Sequence, residues 1–503
     1  MKKIFAIIVS ILLVANCLPA EEVTNAELLR QMKELQSQMT QMQQQYDAKI
    51  RQLNGRIAEL EGNKAAAEKA DGTPSAPEYK TEEAKTSSAK TDSTEFSDDD
   101  LYGKLNSRLS NVIPQLNDQG AQLGISAIIE GTFHHDNAPD GIGEMKEEIS
   151  GFGHHHHDEE EEEHHHHHGD KNGFNLHHIE LGLSAEVDPY FRAWATLAFD
   201  DEDGSEIEEA VIQTTNLPYG LTLSAGKIMS GIGRLNRQHS HVWDFMDSPL
   251  IYEKLFGSHG LREKGVQATW KAPTPFYLLF GAEVGNGENE TFCNQIGGEH
   301  LPDHDAPRLY TGFVKFAPDL GDSHALQLGL SYVNARSQSL HEHEEEDGLE
   351  IIALDGYNTL YGADFVYKYD AKGMKGDGDF TLQGEYFLRR SDMKLQDDHS
   401  HYSNRQDGFY LQALYGFAPR WRFGLRWDQL GLTNHIDDVE EGVSHGGNSY
   451  RATAMIDWKL SEFSLLRLQC ARHVYDTEED REKAWEFGLQ LQVSLGTHPA
   501  HDF

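Results

Sequence analysis

Two histidine runs, His154, His155, His156 and His157, then His164, His165, His166, His167 and His168, enclose an unbroken acidic stretch that begins Asp158, Glu159 and ends at Glu163. Neutral imidazole ligates zinc, copper and nickel, and carboxylates add charge and oxygen donors. A flexible run can ligate in many ways, so metal capture by this tract is of low selectivity, unlike a structural zinc site with a few fixed ligands. A solvated, disordered tract is the plain alternative, and the two are compatible. Protonation near the unperturbed histidine pKa of about 6.5 competes with metal, so capture weakens in mild acid. His239, His241 and Asp244 form a second candidate metal-ligating set. They sit in a segment, Met229 to Arg262, that also carries Gly231, Gly233, Asn236, Trp243, Asp247 and Glu253. His498 and His501 near the end of the chain make a weaker pair. No nucleophile, acid and base stand out and no phosphate-cradling glycine motif precedes a helix, so no enzyme is expected and no cofactor is required. Zn2+ or another divalent cation is the expected ligand or transported ion.

These groups are positioned by a pattern of period two. Trp485, Phe487, Leu489, Leu491, Val493 and Leu495 alternate with Glu486, Gly488, Gln490, Gln492 and Ser494, and Trp421, Phe423, Leu425 and Trp427 alternate with Arg422, Gly424, Arg426 and Asp428. Ile179, Leu181 and Leu183 likewise alternate with Glu180, Gly182 and Ser184. One face suits lipid, and charges on the other favour a wet lumen over a dry sandwich core. Counting such segments gives about sixteen strands, within a range of 16–18, of the length a tilted membrane strand needs. Short turns such as Asp188-Pro189 and Ala418-Pro419 alternate with long polar connections, among them His134 to Gly173, Met229 to Arg262, Arg336 to Asp355 and Ser391 to Asn404. That alternation is how outer-membrane barrels are built, with the long loops outside. Residues 120–503 are therefore expected to form an all-β transmembrane antiparallel β-barrel, with the histidine-rich and acidic loop 134–173 on its external rim. A soluble β-sandwich or solenoid is the competing fold.

The remainder of the chain fits an exported protein. Lys2 and Lys3, the apolar run Ile4 to Ala15 and Leu18-Pro19-Ala20 read as a signal peptide over residues 1–20, with a lipoprotein start at Cys17 as the alternative. Leu28, Met32, Leu35, Met39, Met42, Tyr46, Ile50, Leu53, Ile57 and Leu60 recur at threes and fours, which predicts an α-helical coiled coil over 21–61, or an amphipathic helix lying on the barrel. Residues 62–119 are poor in large apolar side chains and read as a linker, largely disordered. A formal charge of −40 excludes general affinity for nucleic acid. A mean hydropathy of −0.61 does not exclude a membrane barrel, which hides its apolar residues at alternate positions. Cys293 and Cys470 are too few for a disulfide framework.

Several stretches resemble a family of Gram-negative outer-membrane proteins commonly labelled zinc-regulated TonB-dependent receptors. They are Gly173-Phe174-Asn175-Leu176-His177-His178-Ile179-Glu180-Leu181, Asn216-Leu217-Pro218-Tyr219-Gly220, Ser230-Gly231-Ile232-Gly233-Arg234-Leu235-Asn236, His241-Val242-Trp243-Asp244-Phe245, Ala272-Pro273-Thr274-Pro275-Phe276 and His498-Pro499-Ala500-His501. The resemblance implies an association with zinc. A TonB-dependent receptor also needs a plug domain and about twenty-two strands, for which this chain has no room. A coiled coil followed by a smaller barrel is similar to the phosphate-selective porins. By analogy with porins, whose third external loop folds inward, Met229 to Arg262 is expected to be a constriction or a metal way-station. An external flap packed by Trp243, Phe245 and Phe256 is the alternative.

The expectation is an outer-membrane porin-like channel whose histidine and acidic loops bind or concentrate divalent metal, zinc foremost, for passage into the periplasm. Its expected partners are outer-membrane lipid and lipopolysaccharide, divalent metal ions, a homotrimer through the coiled coil, and the cell wall. Two alternatives stay open: an envelope-anchoring barrel tied to the wall by its coiled coil, and a metal-dependent outer-membrane enzyme.

Overall fold

A computed structural model describes residues 122–139, 141–152, 171–200, 204–296, 301–345, 348–395, 400–438, 442–444, 448–477 and 480–496. The signal segment, coiled coil and linker, the tract holding His154 to His157, Asp158, Glu159 and His164 to His168, and the pair His498 and His501 lie outside the described residues.

Sixteen antiparallel strands close into one barrel. One half comprises β1 (Gln122–Asp136), β2 (Gly173–Glu186), β3 (Phe191–Asp200), β4 (Gly204–Thr214), β5 (Leu221–Met229), β6 (Arg262–Lys271), β7 (Tyr277–Gly285) and β8 (Leu309–Ala317). The other comprises β9 (His324–Glu345), β10 (Gly348–Tyr369), β11 (Phe380–Leu395), β12 (His401–Ala418), β13 (Trp421–Leu430), β14 (Ser449–Ser461), β15 (Ser464–Asp476) and β16 (Arg481–Gly496). Each strand pairs with its neighbour in sequence, and β1 closes on β16 with Ile129 opposite Val493. A TonB-dependent receptor has about twenty-two strands, so the barrel departs from that part of the family label.

Burial along the strands is the reverse of that in a soluble sheet. On β16, Trp485, Phe487, Leu489 and Leu491 are 39–49 % exposed, whereas Gln490 between them is 2 % exposed. On β13, Leu425 is 51 % exposed while Arg426 and Asp428 are 3 % and 0 % exposed. Apolar surface turned outward is favourable where lipid surrounds it, and the inward row carries the charges.

At one end the strands are joined by short turns such as 187–190, 419–420 and 462–463; at the other, long connections run over 137–172, 230–261, 286–308 and 431–448. Some connections expected to be loops are strand instead. β9 and β10 continue to Glu345 and from Gly348, each 22 residues long, with Glu344 opposite Leu349. β11 similarly runs on to Leu395. Polar composition reads as loop, but a hairpin satisfies its own backbone hydrogen bonds whatever its side chains are.

The connection between β5 and β6 folds into the barrel. Gly231 N donates to Glu283 on β7 (2.8 Å), Gly233 N to Ser331 on β9 (3.1 Å), and Arg234 N and Leu235 N to Glu385 on β11 (2.8 and 2.9 Å). Gly233 has φ +52°, and a Cβ there would collide with the Glu385 carboxylate and the Tyr252 hydroxyl, so only glycine fits. Phe256 and the partly buried Trp243 pack in the larger apolar cluster of the barrel, and Phe245 packs against Leu414 and Met455. A short helix, α1 (Ile142–Glu147), lies in the first long connection, and α2 (Leu250–Phe256) in the inward loop. Pro249 sets the extended entry to α2, and Gly257, at φ 79°, ends it. Leu250, Ile251, Tyr252, Leu255 and Phe256 join Met145, Ile149 and Phe152 of the first connection and the wall residues Val333, Leu360, Phe387 and Leu430 in one apolar core. The half of the lumen nearer the long connections therefore holds a packed core of the kind found in soluble domains, and this core holds the loop in place.

Candidate metal centre

The inward loop crosses the lumen between Leu235 on the β11 wall and His239 on the β2–β4 wall. Four residues span at most about 14 Å, and wall side chains, Glu385 at one end and Glu208 at the other, reach in to meet them.

Two strand irregularities prepare the receiving wall. In the β3–β4 ladder Thr196 faces Glu209 and Leu197 faces Ile207, which leaves Glu208 as the extra residue of a bulge. In the β1–β2 ladder Glu130 faces His178 and Gly131 faces Leu176, so His177 is extra. A bulge re-aims the side chains beside it. Ile207 points outward at 51 % exposure, and Glu208 inward at 5 %. On β2, His178 and Glu180 are both buried, on either side of the outward-leaning Ile179.

Glu180, Glu208 and His239 bring donor atoms within 4.8 Å of one another. His239 Nδ1 lies 2.9 Å from Glu208 Oε2 and 3.9 Å from Glu180 Oε2, and its Nε2 is 3.5 Å from Glu209 Oε2. His241 Nδ1 is 2.8 Å from Glu180 Oε2, its ring stacked near-parallel to that of His239 at 5.7 Å. His178 Nε2 approaches the same Glu180 oxygen at 3.9 Å and Ser240 Oγ at 3.3 Å. Arg262 at the start of β6 donates to the other Glu208 oxygen at 2.7 Å. Burial works against charge on His239, yet its bonds to Glu208 and Glu209 raise its pKa to about 10. An ion bound through this ring has to displace that proton. Imidazole nitrogen with carboxylate oxygen is a donor set suited to zinc and its neighbours.

His239 and His241, singled out from sequence, are thus brought together. Asp244 does not join them. The chain carries it to the far wall, where Arg422 on β13 holds it at 2.9 Å and Gln412 on β12 donates to it at 3.1 Å. There the loop is locked by arginines. Asp247 accepts from Arg426 at 2.9 Å and pairs with Arg451, while Arg426 and Arg451 also reach Asp428 at 3.0 and 3.1 Å. Burial alone would raise the Asp247 carboxyl, but Arg426 and Arg451 hold it well below the usual carboxylate range. Sequence reasoning missed Glu208, Glu209 and Arg262. Glu180 was legible as an inward residue from the alternation of β2, but the bulge at Glu208 leaves no mark in composition.

A second cluster of imidazoles and carboxylates lies toward the long-connection end of the β15–β16–β1 wall. Glu486 sits 3.4 Å from His134 Nδ1 and 2.8 Å from His473 Nε2, and His134 Nε2 is 3.0 Å from Asp136.

No family model matches the chain. An uncharacterized protein of Aquifex aeolicus (strain VF5) is 38 % identical over 343 residues, which take in 66 % of this chain and 71 % of that protein. The chain belongs to that protein's family. Among solved structures it is similar to the outer membrane channel DcaP of Acinetobacter baumannii, at 12 % identity and a TM-score of 0.48 over 75 % of this chain and 97 % of that one. An anion-selective porin from Comamonas acidovorans gives 10 % and 0.43 over 75 % and 100 %. OmpT of Vibrio cholerae gives 10 % and 0.44 over 75 % and 98 %. Likeness at this level carries no function across to this family.

Proposed function

We propose that the chain is an outer-membrane porin-like channel, narrowed by the loop 229–262, through which divalent cations, zinc foremost, reach the periplasm. One observation carries this reading: a closed sixteen-strand barrel whose apolar side chains face out and whose charged side chains face in. Barrels of this strand number leave an aqueous channel, and an inward loop sets its width. The histidine and acidic residues of 154–168 would gather cations at the mouth, where a field of one sign raises local cation concentration. The coiled coil would lie in the periplasm, and passage would need no energy coupling. Supporting this is an interior wall of carboxylates and imidazoles at the loop's first crossing.

The test is zinc influx into proteoliposomes loaded with a zinc-sensitive dye. Purified full-length protein is expected to admit zinc several-fold faster than protein-free vesicles. A variant with His154 to His157 and His164 to His168 changed to serine should be slower at low zinc and equal at saturating zinc. Influx no faster than in protein-free vesicles would overturn the channel, and equal influx in both proteins at all concentrations would remove the metal role of the tract.

A further inference from the structure

We propose that Glu180, Glu208 and His239 form an internal site for one borderline divalent cation of the zinc class, and that this cation clamps the inward loop to the β2–β4 wall. Occupancy then sets how tightly the loop is held. The inference deepens the metal-gathering reading above and rests on it.

The donors come from three separate elements, β2, β4 and the loop, so an ion bound by all three ties the loop to two strands at once. Without an ion, the loop is joined to these strands by the separate His239–Glu208 and His241–Glu180 bonds, 2.9 and 2.8 Å long. The β7, β9 and β11 contacts are made largely by loop backbone N–H groups on wall side chains, and the far wall uses arginine.

The wall is rich in carboxylates here. Glu180, Glu208 and Glu209 bring three, and Glu208 accepts from Arg262 at 2.7 Å. A cation bound through the His239 nitrogen would take the place that a proton holds between that ring and these carboxylates. Buried carboxylates persist only when paired or bound to metal, and these are 1 % exposed at Glu180 and 5 % at Glu208. A further carboxylate stands in the same row. Glu130, on β1 opposite His178, is 1 % exposed and its Oε1 has no hydrogen-bond partner among the described residues.

The donor set also limits which ion fits. Mixed nitrogen and oxygen ligands favour zinc, nickel or cobalt, whereas calcium and magnesium ask for oxygen ligands alone and in greater number. His241, 2.8 Å from Glu180, supplies a nearby second imidazole. The bulge at Glu208 reads as the device that turns a wall carboxylate toward the loop, at the cost of one ladder position.

The test uses full-length protein in detergent with His154 to His157 and His164 to His168 all changed to serine, so that the external tract cannot contribute. Zinc binding is read by calorimetry after chelator treatment, and loop mobility by hydrogen exchange of amides 235–243 with zinc or with chelator. The expected result is one zinc per chain, exchange slowed at least tenfold by zinc, and both effects weakened at least tenfold by Glu208→Gln. His239→Gln provides the same comparison should Glu208→Gln fail to keep the strand spectrum. Zinc bound with unchanged exchange would overturn the clamp. Failure of this protein to bind zinc, while the chain with its tract intact does, would overturn the internal site and leave the metal-gathering reading standing.

Discussion

The two walls that the inward loop touches hold it by opposite means. At β13–β15 the loop brings carboxylates, Asp244 and Asp247, and the wall brings the guanidinium groups of Arg422, Arg426 and Arg451. At β2–β4 the loop brings imidazoles, His239 and His241, and the wall brings the carboxylates Glu180 and Glu208. Arginine keeps its charge at every accessible pH and offers a rigid fork, so the first contact is permanent. Imidazole and carboxylate can share a cation that exchanges, so the second contact can be adjusted. One end of the loop is thus built as an anchor and the other as a fastening that an ion can tighten.

The largest effect is expected where the anchor is broken. Arg451 is 0 % exposed, and Arg451→Met would leave Asp428 and Asp247 with Arg426 as their shared guanidinium. Removing one partner from such a buried network costs about 3–5 kcal/mol. Hydrogen exchange of amides 244–256 should accelerate by a hundredfold or more, with β-strand amides unchanged.

The outward face of the same wall gives the next test. Leu425 lies beside Arg426 on β13 and points the other way, at 51 % exposure. Leu425→Arg should destabilise the barrel in lipid by about 2–4 kcal/mol, as a charge near the bilayer midplane does. Measured as an unfolding midpoint in vesicles, a change near zero would mean that this face meets water.

Asn236 sharpens the comparison from the loop's own side. Its amide donates to Ser230 O and Leu261 O at 2.8 and 3.0 Å and accepts from Leu261 N at 2.7 Å, joining the loop's beginning to its end. Asn236→Ala leaves Leu261 N without the acceptor it has here, while Leu261 O keeps Ser230 N, a cost of about 1–3 kcal/mol. Both crossings should then loosen together, seen as faster exchange in 235–243 and in 244–256 alike.

The smallest effect belongs to Asp244→Asn. Arg422 keeps Asp457, and the Arg422–Asp244 pair is partly open to solvent, with side chains 27 % and 24 % exposed. The loss should stay within about 1 kcal/mol. Zinc affinity should not move, in contrast to Glu208→Gln, because Asp244 stands on the anchoring wall.

How much of this was written in the sequence differs between the walls. The barrel was legible because alternation in stretches such as Trp485 to Leu495 fixes two faces without reference to distant residues. The anchoring arginines could be read as inward residues for the same reason, since Arg422 and Arg426 alternate with Phe423 and Leu425. Their partners could not, because Asp247 lies 179 residues from Arg426 and only the fold joins them. His239 and His241 stood out by type, and Asp244 was grouped with them because neighbours in sequence were taken as neighbours in space. The chain crosses the lumen between them, which periodicity does not report. Glu208 escaped notice because a bulge shifts the phase of its strand by one residue. The extended hairpin of β9 and β10 escaped because its polar residues suit water whether paired as strand or free as loop.

The barrel is expected to span the membrane and to conduct through a lumen narrowed by the anchored loop. Planar-bilayer recording with the purified full-length chain tests it most directly, comparing the unaltered protein with Arg451→Met. Discrete conducting steps with a reversal potential favouring cations are expected, and larger steps once the anchor is broken. Absence of steps from protein that keeps its strand spectrum, or identical steps from the two proteins although exchange shows the loop released, would contradict it.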